Sequence, residues 1–241
     1  MNNIIEQISL KFRVDDKKNF DSFFSVRNEM VIEELNKFLT GSGSWLYLCG
    51  NKKSGITHLI QAVYNQALIL NFNVSYISII EIISSFNALS EKKIINYFDG
   101  IESCDFVCID DVEKVIDDIF LEEQFFYLLE RLKNRCNSNI LMGGHISPIN
   151  LECNFKDLQS RLMWATGFNL TQLPDQEKIN FLKFKSSRVG LDLSDDAASY
   201  ILKRCDRSVG ELSKIVDILD SFSLKKRRAI TIPLIKEALS L

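Results

Sequence analysis

Between residues 45 and 173 two kinds of segment alternate along the chain. Short runs dense in Leu, Ile, Val, Phe and Tyr are followed by longer stretches in which apolar residues recur at three- and four-residue spacing. That alternation predicts parallel strands joined by crossover helices. The predicted strands are 45–49, 74–79, 105–110, 139–143 and 167–173, and the predicted helices are 28–39, 57–70, 80–89, 121–136 and 155–164. From Pro174 the strand pattern stops. Helices are predicted over 175–188, 194–205, 208–222 and 233–239, with residues 229–232 extended. The second of these opens on a Ser cap followed by two aspartates, the residues that suit a helix N-terminus. The chain therefore divides into a polar segment over 1–20, an α/β domain over 21–173 and a helical domain over 174–241.

Composition narrows the classes. Apolar residues make up 46% and charged residues 25%, with 10 Gly and 3 Pro, which excludes collagen-like, low-complexity and largely disordered chains. Lys and Arg number 29 against 32 Asp and Glu, a net charge of −3, so the surface as a whole is not built to neutralise duplex phosphates. The chain has no apolar run long enough to span a bilayer. The first six residues lack the basic and apolar regions of a secretion signal, so the expected location is the cytoplasm. Six cysteines without a CxxC pair are expected to be reduced core thiols. With His58 and His145 as the two imidazoles, no zinc site is expected.

The chemistry concentrates at the ends of predicted strands. The first strand runs into Gly50-Asn51-Lys52-Lys53-Ser54-Gly55-Ile56-Thr57 and then into a helix. This is the strand, loop and helix setting of GxxxxGK[ST], with Ile56 where the lysine belongs. Gly50 and Gly55 would let backbone N–H groups turn toward a phosphate at a helix N-terminus, and the Thr57 hydroxyl would face a magnesium ion. A lost charged hydrogen bond costs about 1.5–3 kcal/mol, so diphosphate binding survives the loss of lysine better than hydrolysis does. The alternative is a tight turn that holds no ligand. The third strand ends in Asp110-Asp111, at the sheet edge where open α/β folds bind ligands; a solvated turn is the other reading. Together these features favour a P-loop fold.

These residues, with the 158–164 segment around Arg161, Arg204, Asp206 and Arg207 with Gly210 and Glu211 in the helical region, and the ending at 228–233, resemble the DnaA-type AAA+ family over nearly the whole chain. The resemblance implies a five-stranded parallel P-loop sheet with flanking helices and a C-terminal helical lid. It implies ADP or ATP as cofactor, held with magnesium by Gly50, Lys52, Lys53, Gly55, Thr57, His58, Asp110 and Asp111, with Thr57 and Asp110 as the magnesium ligands. Initiators of the family carry a further DNA-reading domain, and this sequence stops after the lid, so sequence-specific DNA binding is not expected. Gln7, Leu10 and Phe12 are similar to the peptide by which regulatory members dock on the replication sliding clamp. The same alternation fits an edge strand.

Arg161 falls at the family's arginine finger, which would act in trans on ATP held by the initiator DnaA; by position alone it equally fits a surface cation at a helix C-terminus. The family's lid arginine falls at Gly210, and the first sensor's carboxylate falls near Gly144 and His145. With Ile56, three groups that would face phosphate have changed. The expectation is an activator of another protein's ATP hydrolysis with little ATPase activity of its own, acting beside DnaA and the clamp, and open to pairing with a second copy of itself.

Overall fold

A computed structural model describes residues 14–41, 43–86, 98–134 and 138–240. Five strands, β1 (Trp45–Gly50), β2 (Val74–Ser78), β3 (Phe106–Asp110), β4 (Asn139–Gly144) and β5 (Thr166–Leu170), form one sheet in the order β2-β3-β4-β1-β5. All four pairings are parallel. The register aligns Cys49 with Gly144, Gly50 with Leu170 and Ser78 with Asp110, so Gly50, Asp110 and Gly144 end their strands at one edge.

Alternation along the strands builds two cores. Leu46 and Leu48 of β1, Tyr76 of β2 and Phe106 and Cys108 of β3 face α1 (Glu29–Phe38) and α2 (Ile56–Ile69). Tyr47, Ile77, Val107, Ile109, Ile140 and Met142 face α3 (Ile79–Phe86), α4 (Ile119–Asn134) and α5 (Lys156–Leu162). Each such buried Leu or Ile contributes about 1.5–3 kcal/mol of hydrophobic stabilisation, and burial on both faces is what crossover helices require.

The predicted strand 167–173 is shorter in the structure. β1 ends at Gly50 opposite Leu170, so residues 171–173 have no neighbour to pair with. Residues 87–89 of the predicted helix 80–89, and residues 135 and 136 of the predicted helix 121–136, lie outside the described residues.

The second compact unit comprises Phe24–Arg27 and Thr171–Leu241. Its core lies among α6 (Asp175–Arg188), α7 (Asp195–Arg204), α8 (Val209–Lys226) and α9 (Ile232–Leu239). The predicted Ser194 cap is present, its side chain accepting from the Ala197 N–H. Phe24 meets the rings of Phe181 and Phe184, at 5.9 and 5.3 Å between centroids, and Arg27 pairs with Glu177 at 2.7 Å. α8 runs four residues past the predicted end at 222, because Ser223, Leu224, Lys225 and Lys226 continue the helix until Arg227 turns left-handed at φ 52°. Ile232, predicted extended, instead opens α9, with Thr231 at the N-cap and Pro233 in the first turn. No helix among the described residues is long and apolar enough to cross a membrane.

Candidate nucleotide and arginine sites

Gly50 closes β1, and the chain turns through Asn51, Lys52, Lys53 and Ser54, with the Ser54 N–H bonded to the Asn51 carbonyl at 3.0 Å. Gly55 then adopts φ 101° to start α2, and an added Cβ there would lie 2.7 Å from Phe23 Cε2, so glycine is required by both conformation and space. The result is a strand, a closed turn and a 14-residue helix whose first N–H groups have no intrahelical partners. Ser54 Oγ lies over Gly50, 2.7 Å from where a Cβ would stand, and is buried without a hydrogen-bond partner. An orphaned donor beside a helix N-terminus fits a phosphate oxygen, so the loop suits a diphosphate as backbone and hydroxyl donors.

Position 56 does not face that loop. Ile56 is buried, and with Ile60 it lies against Gly143 of β4, where an added Cβ would meet Ile56 Cγ2 and Ile60 Cδ1 at 2.5 Å. Without a charge to hold at the loop, this side chain has joined the core beneath α2. Lys52 and Lys53 stand exposed on the turn, the latter left-handed at φ 68°. His58 points to the N-terminal strap: its Nε2 is 3.1 Å from both Ser22 Oγ and the Asn19 carbonyl, and its ring meets Phe23 edge-on.

Asp110 is 2% exposed and accepts three hydrogen bonds, from the Tyr76 hydroxyl at 3.1 Å, the Asp111 N–H at 3.0 Å and the Thr57 hydroxyl. Burial raises its pKa, and these donors oppose the rise. Tyr76 in turn accepts from Gln61 Nε2 at 3.2 Å, and Gln61 Oε1 accepts the Asp15 N–H at 3.3 Å. This relay fixes the carboxylate next to Thr57, an oxygen donor set of the kind magnesium takes. Sequence reading named Thr57 and Asp110 but missed Gln61 and Tyr76, since no local pattern links three positions on separate elements. Asp111 follows in a left-handed conformation (φ 61°), near Glu113 and His145.

Arg161 occupies the last turn of α5. Its guanidinium is ion-paired with Glu130 of α4 and lies over the Trp164 indole, 3.8 Å from the ring centroid. Lys133 approaches the same ring at 4.1 Å. The Arg161 side chain is 12% exposed, burial lowers its pKa, and its Nε and Nη1 donors are buried without partners. The open choice between surface cation and finger thus meets a third arrangement, a covered cation with donors to spare. Trp164 belongs to the segment the sequence singled out, whereas Glu130 was missed, because its contact joins two helices.

In the second unit Gly210 lies exposed in the first turn of α8 with open space around it. Arg207 is held by Asp175 at 2.7 Å and by the Leu202 carbonyl at 2.9 Å. Gln7, Leu10 and Phe12 lie outside the described residues.

A parallel sheet in this strand order, a glycine-framed loop at the end of β1, paired aspartates at the end of β3 and a helical C-terminal unit define a P-loop module of the AAA+ class. Residues 14–169 match the bacterial DnaA ATPase domain and residues 175–239 match the lid domain of Hda. The chain belongs to the Hda/DnaA-type family of AAA+ proteins, a family tied to replication initiation. A protein of Haemophilus influenzae, described as uncharacterized, is 30% identical over 237 residues, which is 98% of this chain and 99% of that one. The fold is similar to domain III of the Thermotoga maritima replication initiation protein DnaA, with TM-score 0.76 and 15% identity over 94% of this chain and 97% of the other. It is also similar to AMPPCP-bound DnaA from Aquifex aeolicus, with TM-score 0.69 and 20% identity over 89% and 70%.

Proposed function

We propose that this chain is a negative regulator of replication initiation that docks on the sliding clamp through Gln7, Leu10 and Phe12 and lends Arg161 to ATP held by the initiator DnaA. The observation that carries this reading is the state of Arg161: a guanidinium kept against Glu130 and Trp164, with two donors unused, in a chain whose own loop has Ile56 in place of lysine. To act, Arg161 exchanges one carboxylate for the more highly charged γ-phosphate of a neighbouring subunit, and its planar donors stabilise the charge that grows there in phosphoryl transfer. The chain's own site binds ADP or ATP through the backbone of 50–57 and Ser54 Oγ, with Thr57 and Asp110 as the groups that would hold magnesium. A magnesium ion held there would neutralise charge on the diphosphate.

Such a regulator works in the cytoplasm beside DNA-loaded clamp, alone or paired with a second copy, and reads no DNA sequence itself. The test is hydrolysis of initiator-bound ATP in the presence of DNA-loaded clamp. Wild type should stimulate, and Arg161→Ala should lose stimulation by about 10³-fold. Equal stimulation by both proteins would overturn the finger. Turnover by the purified chain without partners, abolished by Asp111→Ala, would instead mark it as an ATPase in its own right.

A further inference from the structure

Three side chains that sequence order separates meet where the loops after β3 and β4 come together. One ligand atom each from Asp111, Glu113 and His145 lies within 4.8 Å of the other two. Asp111 is the left-handed residue that follows β3, Glu113 sits in the 3-10 turn Val112–Asp117, and His145 follows directly on β4.

His145 Nδ1 is 3.1 Å from the carbonyl oxygen of Gly50. A carbonyl only accepts, so in the neutral ring Nδ1 carries the proton and Nε2 presents a lone pair. A donor bond from the second ring nitrogen to a backbone carbonyl is how metal-ligating histidines are held and made more basic. Glu113 is positioned independently of Asp111: its Oε2 accepts the His145 N–H at 3.1 Å, which leaves Oε1 available. Gly144 keeps this place open, since an added Cβ would stand 2.5 Å from Glu113 Oε2 and 2.6 Å from the Tyr47 hydroxyl.

The charge is unbalanced. Asp110, Asp111 and Glu113 are near enough to interact, and Lys114 with His145 are the groups of opposite sign that face Asp111. Among the described residues no ion pair engages Asp111 or Glu113.

We propose that Asp111, Glu113 and His145 form a site for one divalent transition-metal cation, zinc being the probe of choice, distinct from the Thr57 and Asp110 position suited to magnesium. One imidazole nitrogen and two carboxylate oxygens form a donor set that zinc accepts, with water as fourth ligand, whereas magnesium favours oxygen alone. At bond lengths of about 2.0–2.2 Å the three donors draw in to roughly 3.3 Å from one another, which side-chain rotation supplies. Two histidines in the sequence argued against zinc; the fold makes up the number with carboxylates from a different strand end. The bound cation ties the β3 loop to the β4 loop, and through His145 to Gly50.

The test of this site needs neither initiator nor clamp, so its failure and that of the regulatory reading are separable. Tag-free full-length protein, with thiols reduced, is titrated with zinc chloride by calorimetry in excess magnesium. One zinc per chain is expected. His145→Ala and Glu113→Gln should each weaken binding by tenfold or more, circular dichroism confirming that each is folded. Because the chain has 2 histidines, imidazole nitrogen resonances discriminate directly: zinc should shift His145 Nε2 and leave His58 in place. No saturable binding, equal affinity in wild type and Glu113→Gln, displacement by magnesium, or zinc absorbed by the thiols with His145 unshifted would each overturn the site.

Discussion

At the mouth of β1, residue 56 is an isoleucine buried against Gly143; at the corner between α4 and α5, a guanidinium is almost as well covered but keeps its charge between Glu130 and Trp164. The two regions resolve the same physical problem in opposite ways. Burying an apolar side chain lowers the free energy of the fold, while burying a cation raises it unless a partner and an aromatic face compensate. A chain under no constraint but stability would lose the second arrangement before the first. Arg161 carries a desolvation cost that Ile56 does not, and the proposed action in trans is what would offset it.

Four substitutions test that contrast. The largest effect is expected from Arg161→Lys, which keeps the charge but loses the planar donor fork. Stimulated hydrolysis should still fall by about 10³-fold, and near-normal activity would reduce Arg161 to a point charge. Ile56→Lys comes next: placing an ammonium against Gly143 and Ile60 should cost about 2–5 kcal/mol in urea denaturation. Unchanged stability with tighter ADP binding would show that position 56 turns freely toward the loop, and the contrast would fall. Glu130→Ala leaves a covered guanidinium without its partner and should cost about 1–3 kcal/mol. The same change in an Arg161→Ala background should cost much less, a coupling that a double-mutant cycle reads directly.

The smallest effect is pH-dependent. Burial, then Asp110 and Glu113, raise Asp111 from 3.8 to about 6. The folded state thus holds this proton more tightly than the unfolded chain, so its contribution is complete below about pH 4 and is lost as pH rises through 6. Raising the carboxyl that far corresponds to about 2.7 kcal/mol, and its partial exposure screens this to about 1 kcal/mol. In chelator, Asp111→Asn should therefore raise the denaturation midpoint at pH 7.5 relative to wild type and leave it nearly unchanged at pH 4. The opposite sign would mean that Asp111 is held ionised by a cation.

The strands and helices were legible wherever apolar spacing was regular, and their errors have local causes. β5 stops at Leu170 because its neighbour stops, and α8 continues because Ser223, Leu224, Lys225 and Lys226 tolerate helix. The candidate site was legible in part. Thr57 and Asp110, predicted as a pair, lie in hydrogen-bond contact. His58, predicted near phosphate, is bound instead to Ser22 and Asn19, because the strap formed by residues 14–23 crosses α2. Glu113, Glu130, Gln61 and Tyr76 gave no signal, since each acts through a partner from another element.

Read alone, the chain gave away what depends on neighbours in sequence: the strand and helix periods, two glycines five residues apart around a turn, the isoleucine in place of lysine, and the arginine near a helix end. Where those groups point depends on the packing of separate elements. Parallel register brings Gly50, Asp110 and Gly144 to one edge, a carbonyl on one strand sets the protonated nitrogen of a histidine after another, and a carboxylate on α4 covers the cation of α5. Hydrophobic periodicity is written within one element, whereas desolvation, charge pairing and tautomer depend on what arrives from a different one.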